Sequence, residues 1–202
     1  MPRTPLRLPT ANQVRIIGGK WRRRLLRFPA AADLRPTPDR VRETLFNWLG
    51  QDLSELATLD LFAGSGALSF EALSRGAALA VAVDSGERAV AGLRDNAAAL
   101  GATGLEVHRA DALGFLSRET RGFDLVFLDP PFREDWLPRL LPLIPARLNP
   151  GGWLYIEQAQ TVQPLPGWEV FRHQRAGQVH YHLLRADAGT VANEDIQRES
   201  RP

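Results

Sequence analysis

The apolar run FDLVFL ends in Asp129, Pro130, Pro131 and Phe132, which set a carboxylate, a rigid kink and a flat ring at the end of a strand. Three other acids stand in comparable places. In LDLFAGSGAL, Asp60 precedes Ala63, Gly64, Ser65 and Gly66, where a strand must turn sharply into a helix and leaves backbone amides open to a small molecule. A carboxylate beside such a turn repels phosphate and welcomes an ammonium group. The pattern is not the dinucleotide fingerprint, because Ser69 takes the third glycine position, and it lacks the Lys-Ser/Thr of a P-loop. Asp84 ends the next strand, 24 residues after Asp60, where Rossmann-like sheets place an acid that accepts hydrogen bonds from ribose hydroxyls. Asp111, with Ala112 after it, ends a third strand and is suited to meet an exocyclic amine of adenine. Taken singly, GSG is an ordinary glycine turn, any one Asp is a helix cap or solvated turn residue, and Pro-Pro-Phe is a strand-ending turn with a core ring. Four acids along one rim, on the side where open α/β sheets bind ligands, are harder to account for that way.

The elements that must position these residues follow from periodicity. From Leu59 onward, short apolar strands alternate with helical segments: a strand TLDLF, a helix 67–75, a strand LAVAVD, a helix 87–100, a strand LEVHRAD, a short helix 112–117 and the strand FDLVFLD. Strands this apolar, separated by helices, predict an α/β fold with a parallel sheet covered on both faces. Pro138, Pro142 and Pro145 interrupt the next helix, which leads to the strand WLYIEQ, and WEVFRHQ and QVHYHLLRA form a C-terminal hairpin. Upstream, NQVRIIGGKWRRRLLRFP alternates around Gly18-Gly19 and reads as a basic β-hairpin with a tight glycine turn. A helix then starts after Pro36 and Pro38, capped by Thr37 or Asp39, with Val41, Leu45, Phe46, Trp48 and Leu49 at helical spacing and Gly50 at its end. There is no internal repeat.

At 202 residues and 44% hydrophobic, the chain can bury one good core. It has no cysteine, which excludes disulfides and thiolate metal sites and is compatible with a reducing cytosol. No apolar run reaches membrane-span length and the N-terminal segment lacks a long apolar stretch, so a cytoplasmic protein is expected. Charge is polarised: residues 1–50 hold 11 Lys/Arg against 3 Asp/Glu (+8), and residues 51–202 hold 14 against 20 (−6). A basic quarter on an acidic body suits a partner that is a polyanion, although a merely solvated arm has the same composition. His180 and His182 share a strand face, but with no third ligand in evidence they read as hairpin residues, and no metal is expected. Trp21 is a candidate for stacking on RNA bases, whereas Trp48 sits among apolar residues at core spacing.

DLFAGSGAL, VAVD, RAD and LDPPF resemble the successive binding motifs of class I S-adenosylmethionine-dependent methyltransferases, from about Leu59 to Phe132. The resemblance implies a Rossmann-like, seven-stranded, mostly parallel sheet with a reversed last strand, into which the C-terminal hairpin fits. It implies that Asp60 and the backbone of Ala63, Gly64, Ser65 and Gly66 hold the methionine part of S-adenosylmethionine, Asp84 the ribose, and Asp111 and Ala112 the adenine. In that superfamily Asp-Pro-Pro-Phe marks methylation of an exocyclic amine on a planar substrate. Such an amine is a poor nucleophile because its lone pair is delocalised. The Asp129 carboxylate and Pro130 carbonyl would accept its hydrogens and favour the pyramidal transition state, Pro131 would keep that carbonyl rigid, and Phe132 would stack on the flipped base.

VRIIGGKWRRRLL, RPTPDRVRETLFNWL and GQVHYHLL further resemble the bacterial RsmD-type 16S ribosomal RNA guanine-N2 methyltransferases, from Val14 to Leu184. One departure is Arg23, where the family commonly has a small residue. The resemblance implies residues 1–50 as a hairpin-and-helix extension that meets RNA and 51–185 as the methyltransferase domain, while 186–202, which lack apolar periodicity, read as a disordered tail. Arg15, Lys20, Arg22, Arg23, Arg24, Arg35, Thr37, Arg40 and Arg42 become candidates for contacting 16S ribosomal RNA or the assembling small subunit, in a protein expected to be a monomer. An adenine-N6 methyltransferase on DNA or RNA, and a non-catalytic RNA-binding assembly factor, are the alternatives. No DNA-recognition domain supports the first, and an intact Asp-Pro-Pro-Phe weighs against the second. A nicotinamide oxidoreductase fits less well, given the incomplete glycine fingerprint.

Overall fold

The computed structural model of the chain describes residues 12–29, 37–131, 135–161 and 166–186. Arg35, Phe132 and the tail from 187 onward, each assigned a role above, lie outside the described residues.

Alternation between inward apolar and outward polar side chains builds a two-stranded antiparallel hairpin, β1 (Asn12–Arg15) and β2 (Leu25–Phe28), with Val14, Leu26 and Phe28 buried. Its connection is not the tight glycine turn expected. Residues 16–24 form a longer loop around a 3-10 turn at Gly19–Trp21, and the ladder continues through Ile16 N–H to the Arg24 carbonyl and Arg23 N–H to the Ile16 carbonyl. The glycines serve close approach instead: at Gly19, φ 70°, a Cβ would lie 1.7 Å from the Ser74 carbonyl oxygen. Arg23 has φ 69°, a left-handed conformation that costs a non-glycine residue about 1–2 kcal/mol.

Helix α1 (Asp39–Trp48) begins after Pro38 with no side-chain cap. Asp39 is its first residue rather than its cap, and Thr37 is buried and bonds elsewhere. Its buried face carries Val41, Leu45 and Phe46, as spacing predicts, together with Arg42, which spacing does not. Trp48 stacks on Tyr181 with ring centroids 5.3 Å apart.

The remaining elements alternate as expected: β3 (Ala57–Asp60), α2 (Ala67–Ser74), β4 (Leu79–Asp84), α3 (Glu87–Leu100), β5 (Leu105–Arg109), α4 (Ala112–Leu116), β6 (Phe123–Leu128), α5 (Leu137–Leu140), β7 (Leu148–Gln158), β8 (Trp168–Ala176) and β9 (Val179–Ala186). Prolines hold α5 to one turn, with a 3-10 turn at Pro145–Arg147. The seven strands lie in the order β5-β4-β3-β6-β7-β9-β8. Pairs among β3 to β7 are parallel, and β9 runs antiparallel between β7 and β8. After β3 the chain winds outward through β4 and β5, then returns through β6 to the other side of β3. That reversal is the topological switch point at which open α/β sheets leave a crevice.

Strand parity divides the core into two clusters. Leu59, Val81, Val126 and Leu154 face α4 and α5; Ala80, Ala82, Leu125, Phe127 and Tyr155 face α1, α2 and the hairpin. Val14, Ile16, Leu26 and Phe28 of the hairpin belong to the second cluster, with Phe70 and Leu93, so the hairpin shares the sheet's core.

Candidate active site

Parity also gathers carboxylates. On the face covered by α1 and α2, β3 presents Thr58 and Asp60, β6 leads through Leu125 and Phe127 to Asp129, and β7 presents Tyr155 and Glu157. These strands are neighbours and Leu128 pairs with Ile156, so Asp129 and Glu157 are the next residues along two adjacent strands. Asp60 and Asp129 flank the switch point. Pro130 is buried and Pro131 exposed.

The glycine loop lies beside them. Gly66, at φ 77°, precedes α2, and a Cβ there would meet Leu93 at 2.5 Å. Gly66 N–H donates to the Ala63 carbonyl at 2.7 Å, closing the turn, while Ser65 is buried and its hydroxyl accepts from Ala67 N–H at 3.3 Å. Asp84 accepts from Gly64 N–H at 2.8 Å through Oδ2 and from Gly86 N–H at 2.7 Å through Oδ1, so the second strand's acid fixes the first strand's turn. Each of its oxygens keeps a further lone pair for a ligand hydroxyl. Asp111 caps α4, accepting from Gly114 N–H at 2.8 Å, with Ala112 buried behind it. Backbone turn, ribose-type acid and third-strand acid thus lie along one rim, and this donor and acceptor set fits a methyl-donor nucleoside.

Asp60 corrects one expectation. Its carboxylate is not openly available: the residue is 2% exposed, and Oδ2 accepts from the Ser69 hydroxyl at 2.8 Å. Burial pushes its carboxyl up to about 7, against the hydrogen bonds from Ser69 and Phe62 N–H and with a further push from Asp84. Asp129 is raised well above the ordinary carboxylate range, by burial first and then by Glu157 and Asp60. Burial lifts Glu157 to about 7, although the hydroxyls of Tyr155 (2.9 Å) and Thr37 both hydrogen-bond it. Thr37 also donates to Asp129 Oδ2 at 3.4 Å.

Arg42 is a second correction. Expected at an RNA-facing surface, it is fully buried, where phosphate cannot reach it. Its guanidinium donates to the Thr37 carbonyl (3.2 Å), the Arg15 carbonyl (2.9 Å), Asp39 (2.6 Å) and Glu71 (3.3 Å). Thr37 is likewise turned inward, 5% exposed, towards the carboxylates rather than outward. Arg15, Lys20, Arg22, Arg23, Arg24 and Arg40 are exposed, on the hairpin and the first turn of α1, with Arg15 paired to Asp39 at 2.5 Å. Trp21 is half-buried edge-on to Phe70, with Lys20 Nζ 4.3 Å from its ring centroid.

Sequence reasoning missed Glu71 and Glu157. Glu71, fully buried in α2, accepts from Ile17 N–H (2.8 Å), Gly18 N–H (2.7 Å), Arg42 and Arg75 (2.9 Å). The available signal was a carboxylate in a helix whose other residues, ALSF and ALS, left it no solvent face. Glu157 carried the same signal, an acid closing the apolar strand WLYIEQ. His180 and His182 stack with His173 across β8 and β9, the His173–His182 ring centroids being 4.2 Å apart. Burial and the neighbouring imidazoles push His182 down to about 4. Among the described residues no group of three or more His, Cys, Asp or Glu could hold a metal ion, and no helix is long and apolar enough to cross a membrane.

A protein-family model described as "Conserved hypothetical protein 95" matches residues 14–185. The chain belongs to this family, the RsmD family. Similar to it is Ribosomal RNA small subunit methyltransferase D of Escherichia coli (strain K12), 40% identical over 195 residues that cover 92% of this chain and 96% of the relative. The protein of that name from Haemophilus influenzae is 37% identical, covering 89% of this chain and 98% of its own length. Among solved structures, the putative methyltransferase yhhF from Escherichia coli matches with a TM-score of 0.80 and 38% identity, over 88% of this chain and 99% of that one. A ribosomal protein L11 methylase from Lactobacillus delbrueckii, 19% identical at a TM-score of 0.63, shares the fold alone. The RsmD-family sheet described here is the class I methyltransferase fold.

Proposed function

We propose that this RsmD-family protein transfers a methyl group from S-adenosylmethionine to the exocyclic N2 amine of a guanine in 16S ribosomal RNA. The observation that carries the reading is the position of Asp129 and Pro130 at the end of β6, across the switch point from the glycine turn after β3. The names of its relatives support ribosomal RNA as the substrate class. The loop at 63–66 would hold the methionine part of the donor, Asp84 the ribose hydroxyls, and Asp111 with Ala112 the adenine. Asp60, buried and bonded to Ser69, would hold the loop's shape. The donor, when bound, supplies an electrophilic methyl on a sulfonium centre. Asp129 and the Pro130 carbonyl would accept the two amine hydrogens, localise the nitrogen lone pair and orient it. Residues 1–50 would form the RNA-contacting extension: exposed Arg15, Lys20, Arg22, Arg23, Arg24 and Arg40 track phosphates beside the site, with affinity that falls as salt rises. The substrate is the RNA or the assembling small subunit, and the protein acts as a monomer.

Asp129→Ala tests the assignment. It should abolish transfer to ribosomal RNA while leaving donor affinity, measured by calorimetry, nearly intact; equal loss of both would contradict it. Mapping of methylated nucleotides in ribosomal RNA from cells lacking the protein should show one unmodified guanine. A missing N6-methyladenine would replace guanine with adenine in the reading.

A further inference from the structure

The hydroxyl of Thr37 has one proton to donate; it donates to Asp129 Oδ2 at 3.4 Å, while buried Glu157, beside Asp129 on the adjacent strand, draws on the same hydroxyl. If both were ionised, one buried anion would face the hydroxyl's lone pairs. A single added proton removes the conflict: one carboxyl donates to the Thr37 oxygen, and the Thr37 proton goes to the other. Among the described residues no cation pairs directly with either carboxyl. The hydrogen bonds of Arg42 go to Asp39, Glu71 and two carbonyls, so it acts on Glu157 only at a distance. Asp60 from β3 adds negative charge, Tyr155 on the same strand donates to Glu157, and Tyr181 of β9 pairs with Glu157 in the ladder.

We propose that Glu157 is a positioning residue for methyl transfer, sharing one proton with Asp129 through the Thr37 hydroxyl and so setting when Asp129 is free to receive the proton that the amine gives up. The inference rests on the role given to Asp129 above. As the amine nitrogen forms its bond to the methyl carbon and the donor's carbon–sulfur bond breaks, the nitrogen becomes cationic and must lose one proton. Asp129 takes it as a carboxylate, the resting proton being held on Glu157. Asp129, half-buried, then returns a proton to solvent. The raised affinities of both carboxyls for protons agree with a linked pair.

The test is a 13C-carboxyl NMR titration of the full-length protein, free of RNA and donor, beside the pH dependence of kcat/KM. In the native protein the Asp129 and Glu157 signals should titrate in two linked steps. Glu157→Gln, which mimics the protonated acid, should lower the Asp129 midpoint by at least about one pH unit, and the acid limb of kcat/KM should follow it. Tyr155→Phe, which keeps the packing shape, should move Asp129 down and Glu157 up. Asp129 titrating alone in the ordinary range, or at one midpoint in both native protein and Glu157→Gln, would overturn the shared proton, as would a lowered rate with an unmoved acid limb. Because the titration needs no substrate, linked titration in a protein that leaves guanine unmethylated supports the pair and removes only the identity of the amine.

Discussion

Glu71→Gln changes charge without changing shape, which makes it the most direct measure of what fastens the basic hairpin to the sheet. Both Glu71 oxygens are surrounded by donors: Oε1 by Gly18 N–H and Arg75, Oε2 by Ile17 N–H and Arg42. An amide nitrogen at either place confronts one backbone donor and one guanidinium with a third donor. Breaking a buried ion pair by removing one partner costs about 3–5 kcal/mol. Arg42 keeps Asp39 at 2.6 Å, but that carboxylate is 38% exposed and more weakly felt. The middle of the range, about 4 kcal/mol, is therefore expected, and for a chain of this length it lowers Tm by roughly 8–16 °C. Urea unfolding followed by far-UV circular dichroism gives the total. Hydrogen exchange locates it, because the Ile17 and Gly18 amides should lose protection before the sheet does. A change below about 1 kcal/mol, or unchanged protection at those amides, would refute the claim that this carboxylate carries the attachment.

Asp60 gives a pH prediction. Its folded-state carboxyl is raised to about 7 from an ordinary 3.8, so between those values the native state holds a proton that the unfolded chain has lost, and stability falls as pH rises through the window. Asp60→Asn should remove about 2–3 kcal/mol of the loss between pH 5 and pH 8, read from urea midpoints; an unchanged difference would contradict the burial argument. Arg23→Gly should relieve the positive φ and stabilise the fold by about 0.5–1 kcal/mol, and a destabilised variant would show that the arginine side chain compensates for its backbone. Reversing charge at exposed Arg22 and Arg24 should weaken RNA binding and flatten its salt dependence with donor binding unchanged, whereas unaltered RNA affinity would return the hairpin to a solvated surface.

Periodicity carried most of the sheet into view, because buried parallel strands such as LAVAVD and FDLVFL and the helix 87–100 repeat their patterns without interruption. The rim of acids was legible for a related reason: Asp60, Asp84 and Asp129 are each the first charge after an apolar run, while Asp111, which follows Glu106 and Arg109, was legible only as the end of the next strand in the alternation. What was not legible depends on contacts distant in sequence. Gly18-Gly19 reads locally as a turn, yet its requirement is set by Ser74, 55 residues beyond Gly19. Arg42 is indistinguishable from the exposed arginines near it until α2 brings Glu71 against it. Asn96 shows the same limit, since its amide pairs with both backbone groups of Arg27, at 3.0 and 2.8 Å, and acts as one further rung for the hairpin.

Those distant contacts converge on one helix, and this decides how substrate placement can work. All eight residues of α2 are buried, and its three polar side chains reach two places, the glycine turn after β3 and the hairpin loop with Arg42. Ser69 holds Asp60 beside the glycine turn, Glu71 holds the hairpin loop and Arg42, and Ser74 accepts from Trp21 N–H at 2.9 Å and donates to the Gly18 carbonyl at 2.6 Å. Arg42 in turn holds the Thr37 carbonyl, and the Thr37 hydroxyl touches Asp129. Exposed hairpin cations are therefore joined to Asp129 through buried, hydrogen-bonded groups. If the proposed function holds, a nucleic acid gripped by the hairpin would be held at a fixed offset from Asp129, and positional error at the hairpin would be transmitted to the site.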